Sequence, residues 1–208
     1  RTVVLSCIPK GCSLRNVLSQ VCGGPLERLA FHDSELPSLE LVFIFPEDAY
    51  KFYSYCNNTG HFVINGVKVK TDWALGSTTD AKCHQPAISK GLMNEITQLG
   101  SRRILIFAQT VPRKVLVSNK KLFYPDPELH FSTCLDIKQI KKEFSHYGEV
   151  VYLGPIISRK LSFSVHFSDI RSAIMAKRDC EREGTLMNSK YGQWSIWFAR
   201  DVTDKPCI

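Results

Sequence analysis

The strongest constraint on how this chain can fold is a change of hydrophobic period that occurs in the same order twice. Side chains of a strand alternate between faces, whereas those of a helix return to one face every three to four positions. Thr2 to Ser6 is a β-branched and apolar run, and Ser13 then starts an amphipathic stretch with Leu14, Val17, Leu18 and Val21 at helical spacing. Gly23 and Gly24 stop that helix. Strands are expected at Leu26 to Phe31 and Leu39 to Phe45. Pro46 opens a second helix with Glu47 and Asp48 in its first turn and a buried stripe of Ala49, Phe52, Tyr53 and Cys56. An Asn65-Gly66 turn and a strand from Val67 to Trp73 complete the order βαββαβ.

The same order returns after a polar stretch. Residues 76 to about 89 read as a linker, followed by a short helix near 90 to 99. Arg103 to Gln109 is then a strand, and Asp136 caps a basic helix that runs to Tyr147 and Gly148. Strands follow at Glu149 to Leu153 and Leu161 to Phe167, with a helix from Asp169 to Glu183 and a last strand from Gln193 to Arg200. A long insertion, 110–134, separates the first strand and first helix of this copy, and connections of that length are often functional. The expected division is 1–75 for the first domain, 76–100 for the linker and 101–208 for the second.

Several function classes drop out at this stage. With 44% hydrophobic and 23% charged residues the chain is neither disordered nor a coiled coil. Its longest apolar run, Leu39 to Phe45, contains Glu40 and falls far short of the roughly 20 residues that cross a bilayer, so no membrane partner is expected. The start at Arg1, with nothing resembling a secretory signal, points to a piece of a longer nuclear or cytoplasmic protein, not a secreted one. The eight cysteines include no Cys-x2-Cys pair, and Cys83-His84 is the one Cys beside a His, so reduced thiols are expected and not a zinc site. No histidine is spaced to serve a nucleophile and no Gly-rich phosphate loop occurs, so neither an enzyme nor a cofactor is expected.

The segments Val42 to Phe52 (VFIFPEDAYKF) and Val165 to Ile174 (VHFSDIRSAI) each place an Ala six residues after a Phe, Phe43 with Ala49 and Phe167 with Ala173. With the opening RTVVLSCIP and the closing KVKTDWA of the first copy, these segments resemble proteins with tandem RNA recognition motifs (RRMs), of a divergent fungal type. The resemblance spans nearly the whole chain. It implies an α+β architecture of two ferredoxin-like domains, each a four-stranded antiparallel sheet in the order 4-1-3-2 with two helices on one face, and it implies single-stranded RNA as the partner. The motifs that stack bases in that family are degenerate here. The aromatic positions of the third strand hold Ser38 and Glu40 in the first copy and Ser162 and Ser164 in the second, while the first strands offer Val4 and Leu105.

A substitute platform is expected on the second sheet. Strand parity sends Ile104 and Ile106 toward the helices and leaves Arg103, Leu105 and Phe107 on the open face. Ser162, Ser164 and His166, then Ser195 and Trp197, point the same way, so Trp197, Phe107 and His166 would lie side by side. The competing readings are that the insertion or the C-terminal tail covers this face, or that a one-residue slip exposes Trp194 instead.

Charge favours the second copy as well. Residues 1–75 hold seven basic and seven acidic residues, so the whole net charge of +7 resides in 76–208. Nine basic and three acidic residues fall within 101–142. Arg113, Lys114, Lys120 and Lys121 lie in the insertion beside Phe123 and Tyr124, the mixture that single-stranded RNA binders use. Lys138, Lys141 and Lys142 suit the wet side of a helix. Lys68 and Lys70 are expected to project from the first sheet's edge strand on the side of Glu40. An RRM-like protein-interaction module that has lost RNA stacking is the alternative function. Gly60-His61-Phe62, the nearest approach to a peptide-binding Arg-x-Phe loop, lacks the Arg.

Overall fold

The computed structural model describes residues 1–60, 62–74, 87–109, 136–157 and 161–208. Two units are present: Arg1–Arg102 together with Arg200–Ile208, and Arg103–Ala199. The linker at 76–89 falls mostly, and the insertion at 110–134 wholly, outside the described residues.

Unit 1 runs β1 (Thr2–Ser6), α1 (Leu14–Gln20), β2 (Leu26–His32), β3 (Ser38–Phe43), α2 (Pro46–Thr59), β4 (Val63–Ile64), β5 (Val67–Lys68), β6 (Lys70–Trp73) and α3 (Lys90–Gln98). Its sheet has the order β2-β3-β1-β6, with every neighbouring pair antiparallel. Alternation decides the faces: Val3 and Leu5 are wholly buried, whereas Val4 and Ser6 are not. The Ser13 hydroxyl accepts the Asn16 amide and opens α1, which buries Val17 and Leu18. Pro46 starts α2, and Gly60, at φ +64°, lets the chain leave it in a left-handed turn. Phe52 of α2 lies between Phe43, at 5.8 Å, and Phe62, at 5.3 Å.

The expected strand Val67 to Trp73 is broken. Val69 is buried and donates its amide to the Phe62 carbonyl at 3.1 Å. Val67–Lys68 therefore pairs with Val63–Ile64 in a separate ribbon, while Lys70–Trp73 joins the main sheet beside β1. Asn65 and Gly66, at φ 50° and 78°, form the tight turn of that ribbon.

Unit 2 runs β7 (Ile104–Gln109), α4 (Ile137–Phe144), β8 (Val150–Ile157), β9 (Leu161–Phe167), α5 (Ile170–Glu181), α6 (Leu186–Tyr191) and β10 (Ser195–Ala199). The sheet order β10-β7-β9-β8 repeats the arrangement of unit 1. Asp136 and Asp169 cap α4 and α5 by accepting the amides of Lys138, at 2.9 Å, and Arg171, at 2.7 Å. Both Phe and Ala pairs of the repeat, Phe43 with Ala49 and Phe167 with Ala173, are wholly buried where each third strand meets its second helix. Helix α6 is an element the sequence reading missed. Thr185 caps it by accepting the Asn188 amide, and Tyr191 at its end enters the core against Phe107, Phe144 and Phe163.

Residues 200–208, expected in the second domain, pack on unit 1. Thr203 is fully buried and donates its hydroxyl to the Gly24 carbonyl at 2.8 Å. The Gly23 amide donates to the Lys205 carbonyl at 2.8 Å, and the Lys205 ammonium donates to the Ser19 carbonyl. Cys22 and Cys207 form a disulfide, with Cα atoms 5.2 Å apart and 185 residues between them in sequence. This corrects the expectation of reduced thiols throughout. Cys7, Cys12, Cys56 and Cys180 are free, and burial pushes Cys56 up to about 11 and Cys180 up to about 12.

Two expected outcomes test these packing statements. Closing so long a loop removes about 5 kcal/mol of unfolded-chain freedom on a chain-entropy reckoning. Reduction should therefore speed deuterium exchange at the Gly23 amide at least about tenfold by NMR, and also at the Val3 amide of β1, because core amides exchange through global unfolding. In unit 2, burial pushes the Glu143 carboxyl up, but hydrogen bonds from Lys190, Gln139 and Tyr191 outweigh it and hold the group below its ordinary value of 4.5. A depressed carboxylate stabilises the fold above its unfolded value and loses that contribution as pH falls through the folded one. Glu143→Gln should thus cost about 1 to 2 kcal/mol in urea melts at pH 7, and that cost should shrink as the pH is lowered below 4.5.

Candidate nucleic-acid interface

The open face of unit 2 is built from alternate residues of four strands. The register places Trp197, Ile106, Ser164 and Gly154 in one row across β10, β7, β9 and β8. Ala199, Ile104, His166 and Tyr152 form the adjacent row. Trp197 is 43% exposed at one edge, as expected. Trp194 instead packs into the core, its ring 5.4 Å from Phe163, which excludes the slipped register. His166 lies on the open face as expected, its Nε2 3.0 Å from Ser164 Oγ and its ring edge-to-face with Tyr152 at 5.2 Å.

Two expected members of the platform are elsewhere. Phe107 is wholly buried on the helix side, stacked parallel on Phe163 at 4.7 Å and edge-on to Phe144 at 5.1 Å. The run Ile104 to Ala108 is apolar on both faces, so its alternation could not choose a side. The choice falls to the large ring that fills the space under α4 and α6, and Ile106 takes the outward place. Arg103 is 1% exposed and donates Nη1–H to the Phe167 carbonyl at 2.8 Å, so its guanidinium is held inside the unit.

The remaining candidates divide by place. Arg113, Lys114, Lys120, Lys121, Phe123 and Tyr124 lie outside the described residues. Lys138, Lys141 and Lys142 are exposed along α4. Lys70 projects from the open face of unit 1 but lies 3.0 Å from Asp72, whose hydrogen bond raises the ammonium above its ordinary value. Lys68, expected on that same edge strand, stands on the β4–β5 ribbon. Val4 is flanked across the sheet by Glu40 on the central strand β3 and Asp72 on the edge strand β6, and two carboxylates on the unit 1 face oppose a phosphate backbone.

Sequence reasoning also missed a residue. Tyr152 enters the open face because a register shift between Val150 and Tyr152 sets it opposite His166. A Tyr-x-Gly signature was available at Tyr152 and Gly154, but the bulge that turns the ring toward the sheet leaves no trace in sequence.

Among the described residues no group of His, Cys, Asp and Glu could hold a metal ion, and no helix is long and apolar enough to cross a membrane. What the two sheets define is a class: each unit has the ferredoxin-like RRM fold, with the strand order 4-1-3-2. No protein-family model matches the chain. It is 33% identical over 215 residues to Sporulation-specific protein 2 of Saccharomyces cerevisiae, covering all of this chain and 56% of that protein. It is 23% identical over 203 residues to the Meiotically up-regulated gene 24 protein of Schizosaccharomyces pombe, covering 97% of this chain and 25% of that one. The chain thus spans about half and a quarter of these two relatives. Among solved structures it is similar to the N-terminal three RNA binding domains of the yeast splicing factor Prp24, at TM-score 0.27 and 12% identity over 95% of this chain and 66% of that one. It is also similar to the first two RRM domains of the yeast poly(U) binding protein Pub1, at TM-score 0.31 and 14% identity over 96% of this chain and 100% of that one. The fold assignment rests on the strand order and not on these scores.

The placement of Phe107 has a direct test. Phe107→Ala should cost about 3 to 5 kcal/mol in chemical denaturation, the effect of emptying a core site, whereas Trp197→Ala should cost less than about 1 kcal/mol.

Proposed function

We propose that the chain is a single-stranded RNA-binding module of a larger protein, with unit 2, its basic insertion and the linker making most of the contacts. The observation that carries this reading is the exposed Trp197 on a sheet face whose central positions are uncharged, within residues 76–208, which hold the whole +7. Aromatic faces stack any base, and lysines and arginines outside the sheet attract the phosphates, so the contacts are non-standard for an RRM but chemically sufficient. Arg113, Lys114, Lys120, Lys121, Phe123 and Tyr124 are the proposed members from the insertion. In this reading the protein has no catalytic role, acts in the nucleus or cytoplasm, and regulates transcripts after synthesis. The names of the two relatives suit such a regulator in sporulation and meiosis.

One observation favours a second reading for unit 1. Glu40 and Asp72 on its open face, together with the zero net charge of residues 1–75, suit a protein partner better than RNA.

Titration of a labelled single-stranded RNA pool at several salt concentrations tests the main reading. Binding should weaken with salt by about 0.7 in log–log slope for each phosphate neutralised. Changing Lys120 and Lys121 together to Glu should flatten that slope by about 1.4, and Trp197→Ala should weaken binding about 5- to 100-fold. Absence of binding at low salt, or affinity indifferent to salt, rejects RNA as the partner.

A further inference from the structure

Tyr152 stands on the edge strand β8, and its ring occupies the space directly above Gly154, two residues further along the same face. A Cβ on Gly154 would lie 2.9 Å from Cε1 of Tyr152 and 2.6 Å from Ser164 Oγ, so only a glycine leaves that space for the ring. Gly154 itself is buried. The ring is drawn in over the sheet and meets His166 edge-to-face, at 73° between the planes. Beneath it the polar atoms have partners: Ser164 donates its hydroxyl to the Gly154 carbonyl at 3.4 Å and also lies 3.0 Å from His166 Nε2.

Gly154 closes the row that Trp197 opens. Three strand spacings separate the two ends, about 14 Å at roughly 4.8 Å each. The positions between them are Ile106 and Ser164, one aliphatic and one small. Apart from the His166 imidazole on β9, which packs against Tyr152, the aromatic rings of this face therefore stand at its edges.

We propose that Tyr152 is a base-stacking residue for single-stranded RNA, seated by Gly154, so that RNA crossing unit 2 is gripped at both edges of the sheet. This rests on the RNA reading above. Stacking at both ends accepts any base, and the stretch between them passes over the partly exposed Ile106, with Ser164 buried beneath.

The test uses a fluorescently labelled mixed-sequence RNA of about 12 nucleotides, within the range that single-strand binders occupy. Tyr152→Ala should weaken binding about 5- to 100-fold, and Tyr152→Phe should stay within about twofold, because the ring face and not the hydroxyl does the stacking. Gly154→Ala should weaken binding in the parent but add little to Tyr152→Ala, since both remove the same seated ring. Without RNA, both Tyr152→Ala and Gly154→Ala should move the His166 ring signals in NMR spectra, which reports the seat independently of binding. Parent-like affinity for Tyr152→Ala beside a weakened Trp197→Ala overturns the proposal and leaves the RNA reading standing. A parent protein that binds no RNA at low salt overturns both.

Discussion

The parallel stack of Phe107 on Phe163 is the interaction on which the chemistry of unit 2 depends. The two residues are directly opposed across β7 and β9, with rings 4.7 Å apart and 2° from parallel. Because strand side chains alternate, burying this pair settles the direction of every other residue on both strands. Ile106 and Ser164 must then face outward, and the pairing of β10 with β7 carries Trp197 to the same side. Phe144 and Tyr191 close over the stack from the helices, so a one-residue slip would take four aromatic rings out of contact. The open face is thus fixed by what lies beneath it.

That dependence explains what could be read from sequence. The strands and most helices were legible because their periods differ, and because Ser13, Pro46, Asp136 and Asp169 are start signals whose capping or backbone chemistry is local. Trp197 and His166 were legible because their strands alternate apolar with polar residues. Phe107 was not, because Ile104 to Ala108 is apolar on both faces and its parity follows from rings brought in by α4 and α6. Tyr152 depended on a register shift, Arg103 on a carbonyl 64 residues away, and the Cys22–Cys207 pairing on a tail that crosses 185 residues of chain. Each is a tertiary event with no periodic or spacing signal of its own.

The same fold supports two different surfaces in the two units. On unit 1 the open face carries Glu40 on the central strand β3 and Asp72 on the edge strand β6, and Lys70 is drawn to its own neighbour Asp72. On unit 2 the corresponding strands, β9 and β10, carry Ser164 and Trp197 in that row, with Ile106 between them. Loss of the family's central stacking residues therefore has opposite meanings. In unit 1 the replacements oppose an anionic ligand, whereas in unit 2 they leave a low, neutral floor between two aromatic edges. Topology alone would have assigned both faces the same role.

The C-terminal tail bears on that surface through connectivity. Trp197 lies on an edge strand, and edge strands fray from their ends because one side of the ladder is unpaired. Here the strand ends at Ala199, paired with Ile104, and the next residues are already part of unit 1. Asp201 and Thr203 are buried there, and Thr203 is bonded to both Gly24 and Asp201. The chain that leaves β10 at this end is therefore continuous with an anchored segment and is not a free terminus. The Trp that offers its face to solvent stands on a short strand of five residues that is held by its pairing with β7 and continues into unit 1.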